Sequence, residues 1–93
     1  MAKGSCLCGK INFKIGGDLS DMTHCHCSMC RKIHGSQFAT YMTVTECEYT
    51  SGAELVQSYV SSEGFERAFC KECGAVLPAS KKDSKYYIPA GIL

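Results

Sequence analysis

The chain has 93 residues, 45% of them hydrophobic, which is enough for a single domain with a modest core. Ten Lys and Arg balance nine Asp and Glu, for a formal charge of +1. This balance argues against a nucleic-acid binder and against a polybasic membrane surface. The sequence also has no apolar run of signal-peptide or membrane-span length, so a cytoplasmic protein is expected.

Short segments with a hydrophobic period of two predict β-strands along most of the chain. In the first, residues 10–15, Ile11, Phe13 and Ile15 share one face before a Gly-Gly turn. One short helix is predicted at 28–34, ending at Gly35. Further strands are predicted at 38–45, 47–50, 55–60, 65–69, 75–77 and 86–90, with a solvated hairpin loop at 80–85. The pattern predicts an antiparallel, mainly β domain with at most one short helix.

Eight cysteines are the most unusual feature of the composition. In a reducing compartment they indicate metal binding or catalysis, whereas a disulfide framework would require a secreted protein. Seven of them form three clusters: Cys6/Cys8, Cys25/Cys27/Cys30 and Cys70/Cys73. Residues two apart on a strand share a face, and a C-x-x-C turn followed by glycine, such as Gly74, brings two sulfurs together. Three such clusters in so short a chain predict zinc sites.

The seven clustered cysteines can be divided between two zinc sites, because structural zinc takes four protein ligands and catalytic zinc takes three. The favoured division joins the two ends of the chain in one closed site and leaves the central triplet as a three-thiolate site. Two alternatives stay open. One places Cys6/Cys8 with Cys25/Cys27 and Cys30 with Cys70/Cys73. The other completes the triplet with a fourth protein ligand: His24, His26 or Cys47.

The cysteine motifs, in their order along the chain, resemble those of one known family. They are G-S-C-L-C-G at 4–9, C-H-C-S-M-C-R-K-I-H-G at 25–35 and F-C-K-E-C-G at 69–74, with Ser58-Tyr59 and Ser61-Ser62 before the last. The family is that of the glutathione-dependent formaldehyde-activating enzymes and centromere protein V. The resemblance implies the β-tent zinc fold, built of small antiparallel sheets, as one zinc-binding domain over 1–93. Because members usually extend beyond the segment matched by 86–93, we expect a short form or a C-terminally truncated chain.

The resemblance also implies two zinc ions per chain and an enzymatic activity. The structural zinc would be held by Cys6, Cys8, Cys70 and Cys73, and the catalytic zinc, which can be partly lost, by Cys25, Cys27 and Cys30. The implied reaction is that of a carbon–sulfur lyase joining glutathione, or another small thiol, to formaldehyde or a small aldehyde, with S-hydroxymethylglutathione as product. No nucleic-acid or membrane partner is expected. The alternative is a non-catalytic, zinc-stabilised binding or chaperone-like module on the same fold.

The sequence also suggests roles for four residues outside the seven clustered cysteines. Arg31 and Lys32 directly follow the triplet and could bind the carboxylates of glutathione, although a solvated helix face would have the same composition. His34 could contact substrate, but a structural role is the simpler interpretation. Cys47 is interpreted as a small buried hydrophobic residue whose pKa is raised by the glutamates on either side of it.

Overall fold

The computed structural model describes residues 2–81 and 85–93, which fold mainly into antiparallel β-strands. The strands β1 to β9 span Ala2–Ser5, Asn12–Gly16, Thr23–Cys25, Ala39–Val44, Glu46–Ser51, Val56–Ser62, Phe65–Cys70, Ala79–Lys81 and Tyr86–Pro89. The helix α1 spans Ser28–His34, and two 3₁₀ turns span Ala53–Leu55 and Ala90–Ile92. The prediction of a mainly β fold with small antiparallel sheets and one short helix is confirmed. None of the helices in the described ranges has the length and apolar character needed to cross a membrane.

The strands form two sheets of unequal size. The smaller has the order β1-β2-β5, and the larger has the order β3-β4-β9-β8-β7-β6. All the strand pairs in both sheets are antiparallel. A single residue, Thr45, separates β4 of the larger sheet from β5 of the smaller one, so the chain passes directly from one sheet to the other.

The hydrophobic core lies in two clusters. The first lies between the sheets and is formed by Phe13, Ile15, Met42, Val44 and Ile88. The second surrounds the junction of the chain ends and is formed by Cys6, Ile11, Ala68, Cys70 and Leu77. The shared buried face predicted for residues 10–15 is confirmed, because Ile11, Phe13 and Ile15 are at most 1% exposed. This one segment contributes to both clusters, since Ile11 belongs to the cluster around the cysteines and Phe13 and Ile15 belong to the cluster between the sheets.

The prediction fails at the segment before β8. A strand was predicted at 75–77, but among these residues only Val76 forms an isolated bridge, to Phe69. The strand begins instead at Ala79, directly after Pro78. Proline has no N–H to donate, so the pairing with β7 is interrupted there and resumes at Ser80, opposite Glu66. The predicted hairpin loop at 80–85 is also shorter than expected, since its first two residues belong to β8; residues 82–84 of that loop lie outside the described residues.

Candidate metal centres and the adjoining pocket

The structure brings four thiols from the two ends of the chain together. The Sγ atoms of Cys6, Cys8, Cys70 and Cys73 all lie within 4.8 Å of one another, and these cysteines form no disulfide. The distance from Cys8 is 3.5 Å to Cys6 and 3.9 Å to Cys70. Sulfurs bound tetrahedrally to zinc at 2.3 Å are about 3.8 Å apart. The donor type, the number of donors and their separation therefore fit a zinc ion.

Two tight turns build this four-thiol site. In the first, the N–H of Gly9 donates to the carbonyl of Cys6, and in the second the N–H of Gly74 donates to the carbonyl of Cys70, at 3.2 and 2.8 Å. Both glycines have a positive φ, of 79° and 77°, as the motif predicts. The interpretation of Cys6 and Cys8 as neighbours on a strand is wrong. Strand β1 ends at Ser5, and the chain reverses immediately afterwards.

Backbone N–H groups stabilise the thiolate form in this site. The N–H of Ile11 donates to the Sγ of Cys6 at 3.4 Å. A hydrogen bond from the backbone N–H of Ala75 is the main cause that lowers the pKa of the Cys73 thiol to about 6. Because metals bind the thiolate and not the thiol, such hydrogen bonds favour loading of the site near neutral pH.

The second cluster is formed by the central triplet. The Sγ atoms of Cys25, Cys27 and Cys30 lie within 4.8 Å of one another, and those of Cys25 and Cys27 are 3.5 Å apart. Cys25 ends β3, Cys27 is the N-cap residue of α1, and Cys30 lies buried in its first turn. The helix ends as predicted, at Gly35 with a φ of 64°. A local strand–turn–helix unit thus presents all three sulfurs to one point, and their type and spacing also fit zinc.

The thiols of the described residues form two separate groups, one of four and one of three. The triplet is separate from the four-thiol cluster, and no His, Cys, Asp or Glu of the described ranges joins it as a fourth ligand. The Nδ1 atom of His24 lies 2.8 Å from the hydroxyl of Thr40, and the His26 ring packs on Phe38. Cys47 lies on β5 in the other sheet. Three thiols are the number of protein ligands typical of a catalytic zinc.

Two of the three thiols, Cys27 and Cys30, differ in acidity. A hydrogen bond from the backbone N–H of Cys30, 3.3 Å from the Sγ of Cys27, is the main cause that lowers the pKa of Cys27 to about 7. Burial is the main cause that raises the pKa of Cys30 to about 12. Cys27 therefore ionises before Cys30 as pH rises.

A pocket of about 200 Å³ opens beside the triplet, and all three cysteines line it. Across the face of the larger sheet, ring centroids are 5.5 Å apart for Tyr41 and Tyr87 and 5.2 Å apart for Tyr87 and Phe65. The guanidinium of Arg67 follows, 4.7 Å from the Phe65 ring. We call this row of four side chains the aromatic ladder. Residues of α1, including His34, form the opposite wall.

Two titratable groups of the pocket stay neutral at physiological pH. Burial, and then the charge of Arg67, lowers the pKa of His34 below its usual range. Burial, and then the neighbouring thiols Cys25 and Cys30, raises the pKa of Tyr41. Its hydroxyl therefore remains a hydrogen-bond donor.

The two basic residues singled out in the sequence lie outside this pocket. The Nε atom of Arg31 donates to the carbonyl of His26 at 3.2 Å, on the exposed side of α1. Lys32 is also exposed and lines a neighbouring shallow groove. Their contact with substrate stays a prediction. Sequence reasoning missed Arg67, although the alternation of Phe65, Arg67 and Phe69 was visible, because the sequence does not show which sheet face borders the pocket.

Cys47 is half-buried, as expected of a small hydrophobic residue. Its pKa is raised to about 11, but the cause is burial and not the flanking glutamates. It faces none of the other cysteine thiols, since it belongs to neither cluster.

Comparisons with known proteins support one family. The sequence profile of the family described as glutathione-dependent formaldehyde-activating enzyme matches residues 1–93. An uncharacterized lyase of Schizosaccharomyces pombe is 36% identical over 90 residues; the match covers 95% of this chain but 65% of that protein, so the chain spans about two-thirds of its length. The crystal structure of a Rhodobacter sphaeroides protein aligns with a TM-score of 0.83 at 25% identity, over 99% of this chain and 87% of that one. The chain belongs to the glutathione-dependent formaldehyde-activating enzyme family.

Proposed function

We propose that this chain is a zinc-dependent carbon–sulfur lyase that joins glutathione to formaldehyde and forms S-hydroxymethylglutathione. The observation that carries the proposal is the position of three clustered thiols, Cys25, Cys27 and Cys30, in the wall of a pocket. Family membership supports glutathione and formaldehyde as substrates, and the name of the S. pombe relative supports the reaction class.

In this proposal the two cysteine clusters have different roles. The four-thiol site, which uses Cys6, Cys8, Cys70 and Cys73, holds a structural zinc that joins the chain ends. The triplet holds the catalytic zinc, which when bound supplies a position where an incoming thiol is kept as its thiolate at neutral pH. A free thiol, with a pKa near 8.5, is ionised to only a few per cent at pH 7.

The bond changes of the reaction are simple, and the pocket residues suit them. The thiol loses its proton, its sulfur forms a bond to the aldehyde carbon, and the carbonyl oxygen gains a proton as the C=O π bond breaks. The protonated hydroxyl of Tyr41 can donate a hydrogen bond to that oxygen, on which negative charge develops. Tyr87 and Phe65 provide apolar walls beside the reacting atoms.

The test measures how fast formaldehyde and its glutathione adduct interconvert at equilibrium, by exchange NMR with ¹³C-formaldehyde and zinc-loaded protein. We expect the wild type to accelerate exchange above the buffer rate. Cys27→Ser is expected to abolish the acceleration, because it removes one of the three thiol ligands. Cys47→Ser is the matched control, since it removes a cysteine that lies outside both clusters, and it is expected to retain the acceleration.

Two outcomes would count against the proposal. If zinc-loaded wild type leaves the exchange at the buffer rate, the non-catalytic binding or chaperone-like module becomes the better interpretation. If Cys27→Ser accelerates exchange as well as wild type does, the triplet is not the catalytic site.

A further inference from the structure

We infer that Arg67 recognises the negatively charged end of the thiol substrate, so that the pocket selects thiols bearing a carboxylate over neutral thiols. The inference rests on the proposed function, because it assigns a specificity role within the same pocket. It assigns that role to a residue on β7 and not to Arg31 or Lys32, the residues that the sequence singles out beside the triplet.

The first support is placement. Arg67 and the three thiols line one pocket of about 200 Å³. The aromatic ladder leads from Tyr41, which lines the pocket together with the triplet thiols, through Tyr87 and Phe65 to the guanidinium. A small molecule bound through its sulfur at the triplet therefore has its other end directed along the ladder, where the first positive charge is that of Arg67.

The second support is that the guanidinium is held in place before any ligand binds. Its Nε donates to the hydroxyl of Ser61 at 3.2 Å, and its plane lies over the Phe65 ring. These two contacts leave the terminal Nη groups available to a bidentate acceptor. A pre-positioned, planar fork loses less conformational entropy on binding a carboxylate than a mobile side chain does.

The third support is that no carboxylate of the described residues forms an ion pair with this guanidinium. Within the described ranges, the two ion pairs are Lys10–Glu72 and Lys14–Glu48, and neither involves Arg67. The side chain is only partly exposed and borders a largely apolar wall. A partly desolvated cation without a counter-ion is unfavourable by itself and becomes favourable once an anion binds.

The fourth support is the shape of the surface beyond the pocket. Arg67 and Ile33 also line a shallow groove that continues past Tyr59 to Lys32. The carboxylate bound by Arg67 therefore does not have to be the far end of the thiol molecule. A longer molecule can extend past it along the groove. This favours a substrate of peptide size over a very small thiol, with Arg67 at the boundary between pocket and groove.

The test compares two thiols of nearly the same size, 3-mercaptopropionate and its neutral amide 3-mercaptopropionamide. Dissociation constants are measured by calorimetry on zinc-loaded protein, so the readout is binding and not turnover. We expect wild type to bind the carboxylate about 10-fold more tightly or better, the size of effect given by charge-assisted hydrogen bonds. Arg67→Gln is expected to abolish the preference while leaving the affinity for the amide unchanged.

Three further variants sharpen the result. Lys3→Gln removes one positive charge from the other sheet, on an exposed side chain, and is expected to keep the preference. Arg31→Gln tests the residue favoured by the sequence and is expected to keep most of the preference for the carboxylate over the amide. Arg67→Lys retains the charge without the planar fork and is expected to give an intermediate preference. Zinc content and far-UV circular dichroism show that each variant is folded.

A second readout uses the fact that Arg31 and Arg67 are the two arginines of the sequence. Bound 3-mercaptopropionate is expected to protect Arg67, but not Arg31, from an arginine-selective dicarbonyl reagent, as read by peptide mass spectrometry. Protection of neither arginine, or of Arg31 alone, would overturn the inference.

The outcomes separate this inference from the proposed function. If wild type binds both thiols equally yet accelerates their exchange with formaldehyde, the enzymatic function stands and the role of Arg67 is wrong. The role of Arg67 is also wrong if Arg67→Gln keeps the preference or if Arg31→Gln loses it. If neither thiol binds, the proposed function and the inference fall together.

Discussion

The Sγ atoms of Cys8 and Cys70 lie 3.9 Å apart although the two residues are separated by 62 positions in the sequence. One belongs to the turn after β1 in the smaller sheet, and the other ends β7 in the larger sheet. A metal ion at this point therefore ties the two sheets together. Structural zinc contributes about 10–16 kcal/mol of apparent binding free energy, as much as the whole net stability of a typical domain.

On the proposed function, substitution of single cysteines separates the roles of the two cysteine clusters. Cys27→Ser is expected to lower the zinc content from two ions to one per chain and to leave the circular dichroism spectrum unchanged. The helix survives because serine is itself a favourable N-cap residue, at the position where Cys27 accepts from the N–H of Cys30. Cys70→Ser is expected to abolish folding, because it removes a ligand that is completely buried.

The measurement is metal analysis and circular dichroism on protein purified without oxygen. One zinc per chain in the wild type, unchanged by Cys27→Ser, would contradict a metal role for the triplet. A folded Cys70→Ser protein with a single zinc would contradict the structural role of the four-thiol site.

A matched pair of leucines tests the second core cluster. Leu77 is completely buried beside the four-thiol site, whereas Leu7, in the turn between two of its ligands, is 86% exposed. Leu77→Ala is expected to lower the free energy of unfolding by about 2–5 kcal/mol, since it removes buried methyl groups and leaves a cavity. Leu7→Ala is expected to change it by no more than about 0.5 kcal/mol. Urea titration of zinc-loaded protein measures both, and equal effects would show that the leucine at 77 is not in the core.

Two glycines provide a test of close packing at the end of the chain. A Cβ on Gly4 would lie 2.5 Å from the backbone oxygen of Ile92 and still closer to the Phe13 ring, whereas one on Gly91 would meet nothing within 4 Å. Gly4→Ala is therefore expected to destabilise the protein by about 1–3 kcal/mol, the usual cost of overpacking. Gly91→Ala is the control and is expected to leave the thermal midpoint nearly unchanged. A comparable fall in both midpoints would mean that β1 does not pack against the C-terminal turn as described.

The parts of the fold that sequence reasoning predicted correctly depend on local signals. The helix bounds follow from Cys27 at the N-cap and Gly35 at the C-cap, which lie within one short segment. The alternation of Ile11, Phe13 and Ile15 reports a buried face without knowledge of its partner. The number of cysteines also limited how they could be shared between two sites, because zinc takes four protein ligands in structural sites and three in catalytic ones.

The parts that sequence reasoning did not predict depend on long-range register. No local sequence signal shows that the face of β7 carrying Arg67 borders α1. The pocket could therefore not be described before the sheet order was known. The start of β8 after Pro78 also depends on its partner strands, since Ala79 pairs with Tyr87 of β9 and Ser80 pairs with Glu66 of β7. Likewise, only the packing of the smaller sheet shows that the pKa of Cys47 is raised by burial and not by the charges of Glu46 and Glu48.

The pH dependence of stability isolates Cys47. Burial raises the pKa of this thiol from 9.0 to about 11, so the folded state keeps its proton at pH values where the unfolded chain has lost it. Between pH 9 and 11 the unfolded state therefore binds fewer protons than the folded state, and the free energy of unfolding falls as pH rises. Below pH 9 both states hold the proton, and this thiol contributes no pH dependence. Cys47→Ala, which cannot ionise, is expected to show a shallower loss of stability than wild type in this window.

The measurement is the urea midpoint of zinc-loaded wild type and Cys47→Ala at several pH values from 7 to 11. Tyr49, whose pKa burial raises to about 12, and the metal ligands titrate in both proteins, so the difference between the two curves belongs to Cys47. A constant difference from pH 7 to pH 9, which then shrinks or reverses towards pH 11, is the expected result. A difference that stays constant over the whole range would mean that Cys47 ionises as easily in the folded protein as in the unfolded chain, and that the packing of β5 around it is looser than described.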